Sequence, residues 1–164
     1  MILYTVVPCY NEEDALPETV RILSDKYFTL MRKGMISEES RILLVDDGSS
    51  DDTWNMIREY HDKKPIFCGL KLSRNRGHQN ALYAGLMAAA PHCDAAISID
   101  ADLQDDVDAI DQMIVKFDDG YDIVYGVRNK RDSDKFMKRF TAEGYYKIMR
   151  LCGAQIIFNH ADFR

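Results

Sequence analysis

The residues of this chain best suited to chemistry are the carboxylates of Ser98-Ile99-Asp100-Ala101-Asp102-Leu103-Gln104-Asp105, which follow directly on the apolar β-type segment 95–99. Residues two apart on an extended chain point the same way, so Asp100 and Asp102 can face one ligand with Cα atoms roughly 6.6 Å apart. One carboxylate can take a ribose while the other takes a metal. Hard divalent cations such as Mg²⁺ or Mn²⁺ prefer carboxylate, amide carbonyl and phosphate oxygens, and Asp102, Gln104 and a nucleotide diphosphate would supply all three. An acidic turn that merely caps the next helix has the same composition, so the assignment depends on what stands around it.

The elements that must position these residues alternate in type. Short β-rich runs at 2–7, 42–45, 66–72, 95–99 and 123–127 are separated by segments of helical period at 15–33, 53–63, 79–90 and 107–118. This rhythm predicts an α/β fold, a Rossmann-like, mostly parallel sheet flanked by helices on both faces. Asp51 or Asp52 is expected to cap the second helix and Asp105 or Asp106 the fourth, with Gly34 and Gly120 as stop signals after the first and fourth. A charged loop at 129–134 and an amphipathic helix at 135–152 follow.

Composition bounds the rest. The 164 residues, 46% of them hydrophobic, suit one domain, read here as 1–164. A net charge of −6 argues against nucleic acid as a partner, although 128–150 is locally basic. Cys9, Cys68, Cys93 and Cys152 form no Cys-x-x-Cys pair, so neither a zinc site nor a disulfide framework is indicated, and a reducing, cytoplasmic setting is expected. No stretch approaches the roughly 20 apolar residues that span a bilayer. The methionines are scattered core filler, and Trp54 reads as packing.

Ligands of an open parallel sheet bind beyond the carboxyl ends of the strands. There the sequence places Pro8-Cys9-Tyr10-Asn11-Glu12-Glu13, Asp46-Asp47-Gly48-Ser49-Ser50-Asp51, Asp100 to Asp105, and Gly126-Val127-Arg128. Tyr10 can stack on a base, Glu12 and Asp47 can accept hydrogen bonds from base or ribose, and Arg128 can offer a planar fork to phosphate. His78, between Gly77 and a helix, suits a place near a phosphate or a cap.

These blocks, with Asn75-Arg76-Gly77-His78-Gln79-Asn80-Ala81-Leu82, resemble the landmarks of glycosyltransferase family 2, in order, over residues 2–128. The Gly-His-Gln-x-Ala-Leu and Asp-Leu-Gln-Asp forms are most similar to the subgroup of dolichol-phosphate mannose synthases and bactoprenol glucosyltransferases. The resemblance implies a GT-A fold. It also implies that Pro8, Tyr10, Glu12 and Asp47 hold the nucleoside, that Asp100 approaches ribose and metal, and that Asp102 and Gln104 ligate Mg²⁺ or Mn²⁺. Arg128 and a later basic residue, Arg131 or Arg139, would meet the phosphates. The implied activity is inverting transfer of a sugar from a UDP- or GDP-linked donor to a polyprenyl phosphate. A sugar-hydroxyl acceptor would need a base, for which Asp162 is the candidate.

Two departures stand out. Asp106-Val107-Asp108 replaces the family's usual two prolines and glutamate, which an Asp cap can offset. Members of the subgroup also run beyond a motif resembling Asp162-Phe163-Arg164, into segments that are often membrane-spanning. The chain therefore reads as a truncated catalytic domain whose full-length parent works at the cytoplasmic face of a membrane. Two rivals remain at this stage: a receiver- or phosphatase-like phosphotransfer domain using Asp46-Asp47, and a module that binds a nucleotide sugar without transferring it.

Overall fold

In the computed structural model, residues 1–126 are described. Their elements run β1 (Leu3–Cys9), α1 (Leu16–Arg32), β2 (Arg41–Asp46), α2 (Thr53–Lys63), β3 (Phe67–Lys71), α3 (His78–Ala89), a 3₁₀ turn at Ala90–His92, β4 (Ala95–Ser98) and α4 (Ala109–Asp118). All three strand pairings are parallel, and the sheet order is β3-β2-β1-β4. The expected α/β architecture is therefore present. The fifth strand expected at 123–127 is not: residues 123–126 carry no strand, and 127 lies outside the described residues.

β1 runs through the middle of the sheet because Leu-Tyr-Thr-Val-Val-Pro-Cys can bury both faces, and only Tyr4 is less than fully buried. On one face Leu3, Val7, Cys9, Ile42 and Leu44 pack under α1, α4 and α2. On the other, Val6, Leu43 and Val45 meet Ala81, Leu82 and Ala89 of α3. α1 contributes Leu16, Val20, Leu23, Tyr27 and Leu30, a three-four spacing that keeps one stripe inward. Lys26 bridges to Asp108 and Asp111, and Lys33 to Asp111, tying α1 to the start of α4.

α3 packs tightly on the sheet. A Cβ on Gly85 would lie 2.4 Å from Val6 Cγ1 and 2.8 Å from Val45 Cγ2, so glycine is what lets the helix backbone approach. The stop signals at Gly34 and Gly120 hold, with φ of +70° and +93°. The capping expectations need correction. Asp52 occupies the cap position of α2 without a side-chain cap bond. Asp51 Oδ1 instead accepts from the Thr53 N–H at 3.1 Å. Asp108, not Asp105 or Asp106, occupies the α4 cap position and also makes no side-chain cap bond. Asp106 Oδ1 accepts the Asp108 N–H at 2.9 Å, so both acids close short turns ahead of their helices.

Candidate functional site

The loops after β1 and β2 are laced together by their own side chains. Ser49 Oγ accepts the Asn11 N–H at 3.0 Å, Asn11 Oδ1 the Ser50 N–H at 2.9 Å and Thr53 Oγ1 the Glu12 N–H at 2.9 Å. Asp51 Oδ2 accepts the Glu13 N–H at 3.2 Å while Glu13 Oε2 accepts the Asp52 N–H at 2.9 Å. Asn11 sits at φ 55°, a left-handed conformation that its short amide tolerates. Most of the Asp-Gly-Ser-Ser-Asp-Asp-Thr block thus builds the cleft wall.

Asp47 joins a third loop. Its Oδ1 accepts the Arg76 N–H at 2.7 Å and its Oδ2 the Gly77 N–H at 2.9 Å, immediately ahead of α3, where a negative charge also suits the helix dipole. Gly48, at φ +70°, comes so close to the Arg74–Asn75 backbone that a Cβ would stand 2.5 Å from the Arg74 carbonyl carbon. Asp47 is nearly buried, yet it lines a cavity of about 160 Å³ with Pro8, Tyr10, Glu12, Gly77 and His78. A carboxylate has roughly four acceptor positions, so two backbone bonds leave capacity facing that cavity. The Asn-Arg-Gly block contained the partner of Asp47, but its main-chain donors carry no side-chain signature.

Asp46 points the other way. It is fully buried, its Oδ1 accepts the Ser49 N–H at 3.0 Å, and Oδ2 lies 3.8 Å from Lys71 Nζ, which itself sits over Trp54. A phosphoacceptor must be open to its donor, so the buried Asp46 is not placed for receiver-type chemistry.

The acidic turn after β4 completes the cleft. Thr19 Oγ1 donates to the Ala101 carbonyl, fixing the turn on α1. Leu103 adopts φ 47°, which turns the chain between Asp102 and Gln104. The Gln104 N–H and Nε2 donate to Asp102 Oδ1 and Oδ2 at 3.2 and 2.7 Å. Asp100 Oδ1 stands 3.6 Å from His78 Nε2, so α3 delivers His78 to the acidic turn. The Glu12 carboxyl is raised above its ordinary range by burial first and then by the charges of Asp102, Asp51 and Asp100. Acids from three loops therefore share one field. Burial also pushes the Cys9 thiol far up, with Glu12 and Asp46 adding to it, so this cysteine is a packing residue.

The donor set fits a hard cation held jointly with a ligand. It consists of oxygens, and among the described residues no three His, Cys, Asp or Glu side chains converge on one point. Asp100, Asp102 and the Gln104 amide would leave positions for phosphate oxygens and water, the habit of Mg²⁺. Because Nε2 now faces Asp102, Gln104 must turn its amide to present Oε1 to a cation. Of the expected site residues, Pro8, Tyr10, Glu12, Asp47, Asp100, Asp102 and Gln104 stand at this end of the sheet; Arg128, Arg131, Arg139, Asp162 and the helix expected at 135–152 lie outside the described residues.

A parallel sheet with acids gathered beyond its carboxyl ends, a cavity over the ends of β1 and β2 and an acidic turn beside the β1–β4 switch point has the arrangement of nucleotide-binding α/β domains. The family model "Glycosyl transferase family 2" matches residues 4–164, and the chain belongs to that family. It is 48% identical over 163 residues, 99% of this chain and 48% of that protein, to "Uncharacterized glycosyltransferase YkoT" of Bacillus subtilis (strain 168). With "Prophage bactoprenol glucosyl transferase homolog" of Escherichia coli (strain K12) it shares 37% over 168 residues, 100% of this chain and 51% of that protein. The chain thus spans about half the length of the curated relatives it matches. The fold is similar to that of S. aureus TarS 1-349, with a TM-score of 0.54 at 20% identity over 84% of this chain and 39% of that one. It is also similar to mannosyltransferase PcManGT from Pyrobaculum calidifontis in complex with GDP-Man and Mn²⁺, with a TM-score of 0.52 at 22% identity over 61% of this chain and 27% of that one. These neighbours make the expected GT-A fold the fold of the chain.

Proposed function

We propose that the chain is the donor-binding catalytic domain of a metal-dependent, inverting glycosyltransferase that moves a sugar from a UDP- or GDP-linked donor to a polyprenyl phosphate. The observation that carries this reading is the meeting of three loops and the α3 terminus at one cleft, with base-side residues Tyr10, Glu12 and Asp47 next to the Asp100–Asp102 turn. Relatives named bactoprenol glucosyl transferase support the lipid acceptor, and with it a working place at the cytoplasmic face of a membrane. Among the described residues no helix is long and apolar enough to cross one.

Each side chain has a task in this reading. Tyr10, nearly half exposed, offers a face to the base. The remaining acceptor positions of Asp47 and Glu12 take base or ribose donors. Asp100 and Asp102, with Gln104 once its amide has turned, hold Mg²⁺ or Mn²⁺, which neutralises charge on the departing diphosphate when bound. Arg128, assisted by Arg139, adds fixed positive charge on the same phosphates. A lipid phosphate, with a second pKa of roughly 6, attacks already ionised and needs no strong base. With a sugar hydroxyl instead, Asp162 would have to take the proton.

Thermal unfolding with UDP or GDP, each with and without Mn²⁺, tests the donor half of the proposal. Saturation at about 100 times Kd adds roughly 2.7 kcal/mol. We expect one nucleotide to stabilise the chain only with the metal, and Asp102→Ala to abolish the effect. No stabilisation by either nucleotide at millimolar concentration would overturn the proposed donor site.

A further inference from the structure

A second cavity lies away from the catalytic cleft. A groove of about 840 Å³ opens where the end of α1 meets the chain entering β2 and β3. Its floor is apolar, formed by Phe28, Met31, Pro65 and Ile66. Phe28 is 51% exposed although it sits on a helix whose other stripe is wholly buried. An exposed aromatic over an apolar floor is a feature that a partner removes from water.

The rim has the opposite sign to the rest of the molecule. Arg32, Arg41, Lys63 and Lys64 stand against one carboxylate, Glu38, in a chain of net charge −6. Lys63 is paired with Glu59. The hydrogen bonds of the others go to neutral oxygens: Arg32 to Thr29 Oγ1, Arg41 to the Glu38 and Ser40 carbonyls, and Lys64 to Ser24 Oγ. None of the three meets a carboxylate within ion-pair distance among the described residues. Their charge is left for a ligand to neutralise.

We propose that this groove docks an acidic amphipathic helix of a water-soluble partner protein, with apolar side chains on the Phe28–Ile66 floor and carboxylates on the Arg32–Lys64 rim. An apolar floor inside a cationic rim matches a helix with apolar residues three and four apart and acids on its flanks. Anionic lipid has the same charge, but the groove is at the amino ends of the strands, whereas the catalytic cleft is at their carboxyl ends. β1, with seven residues, separates the two by roughly 20 Å. A domain that turns its cleft towards a membrane acceptor holds this groove away from the membrane. That choice of a peptide over lipid rests on the proposed acceptor; the groove itself does not.

The test uses a fluorescein-labelled 15-residue peptide with Leu at helical spacing and Glu elsewhere, next to its Gln-for-Glu counterpart, titrated with the full chain by anisotropy. We expect the Glu peptide to bind at least tenfold tighter than the Gln peptide, and the difference to shrink as salt is raised. Arg32→Glu with Lys64→Glu should weaken it at least tenfold, and Phe28→Ala should weaken both peptides. All three substitutions are at exposed positions, and circular dichroism checks the fold. Absence of binding at millimolar chain, equal binding of the two peptides, or indifference to the charge reversals would overturn the proposal. Sedimentation of the chain with phosphatidylglycerol vesicles, abolished by the same reversals, would overturn it in favour of a membrane. Nucleotide and Mn²⁺ stabilisation measured on the same variants should match the parent, which separates failure of the groove from failure of the catalytic site.

Discussion

Asp47 and Glu12 are neighbours in the cleft with different energetics. Asp47 is satisfied by two main-chain donors, so Asp47→Asn turns an amide N–H towards an N–H and should cost about 1–3 kcal/mol in denaturant unfolding. It should also remove nucleotide-dependent stabilisation, because the 74–77 loop loses its tie to the cleft. Glu12 is the reverse case. Its carboxyl is raised in the folded chain, by burial and then by Asp102, Asp51 and Asp100, so its ionisation opposes folding. That penalty is fully present above the raised native pKa and disappears below the unfolded value of about 4.3. Glu12→Gln should therefore raise Tm at pH 7, with the gain vanishing as pH falls through the carboxylate range; a pH series of paired melting curves checks the sign. At this scale the sequence was a good guide to residue types and a poor one to partners. Gln104 shows why. Its spacing suits a ligand, but only the turn at Leu103 puts its amide on Asp102.

Among the elements, α3 has the least tolerance. Its buried face consists of Ala81, Leu82, Gly85 and Ala89, and a Cβ at position 85 would overlap both Val6 and Val45. Gly85→Ala should cost about 1–3 kcal/mol by overpacking, read as a lower unfolding midpoint. It should also weaken nucleotide binding, because the same helix carries His78 to Asp100. Helix and strand identities followed from hydrophobic period, and four of the five expected strands stand where the pattern put them. The expected fifth does not appear in 123–126: Ile123, 64% exposed, and Tyr125, 38% exposed, gain no burial there. The cap expectations held only for the place of Asp52 at α2, and the rest failed for a related reason. Aspartates crowd both helix starts, and which one caps depends on loop geometry that composition does not encode.

Across the whole molecule, β1 lies between two cores and joins them. Val6 belongs to the α3 side and Val7 to the α1 side of the same strand. Val6→Ala and Val7→Ala should each cost about 1–3 kcal/mol and lower one common transition, seen at the same midpoint by far- and near-ultraviolet circular dichroism. Two separate transitions would show that the cores unfold independently. The alternation of buried strands with amphipathic helices was enough to determine the parallel α/β sheet, because burial on both faces leaves short apolar runs no other arrangement. The acidic blocks were enough to mark the carboxyl ends of the strands as the working edge, since polar residues that end a buried strand must emerge there. Tertiary structure alone decided that Asp46 is buried and Asp47 is bound by the 74–77 backbone, that Glu12 shares a field with Asp100 and Asp102, and that a cationic groove opens at the other end. Each of these depends on a meeting of segments some 25 to 90 residues apart in sequence, and the local period and propensity of a chain carry no information about which loops will touch.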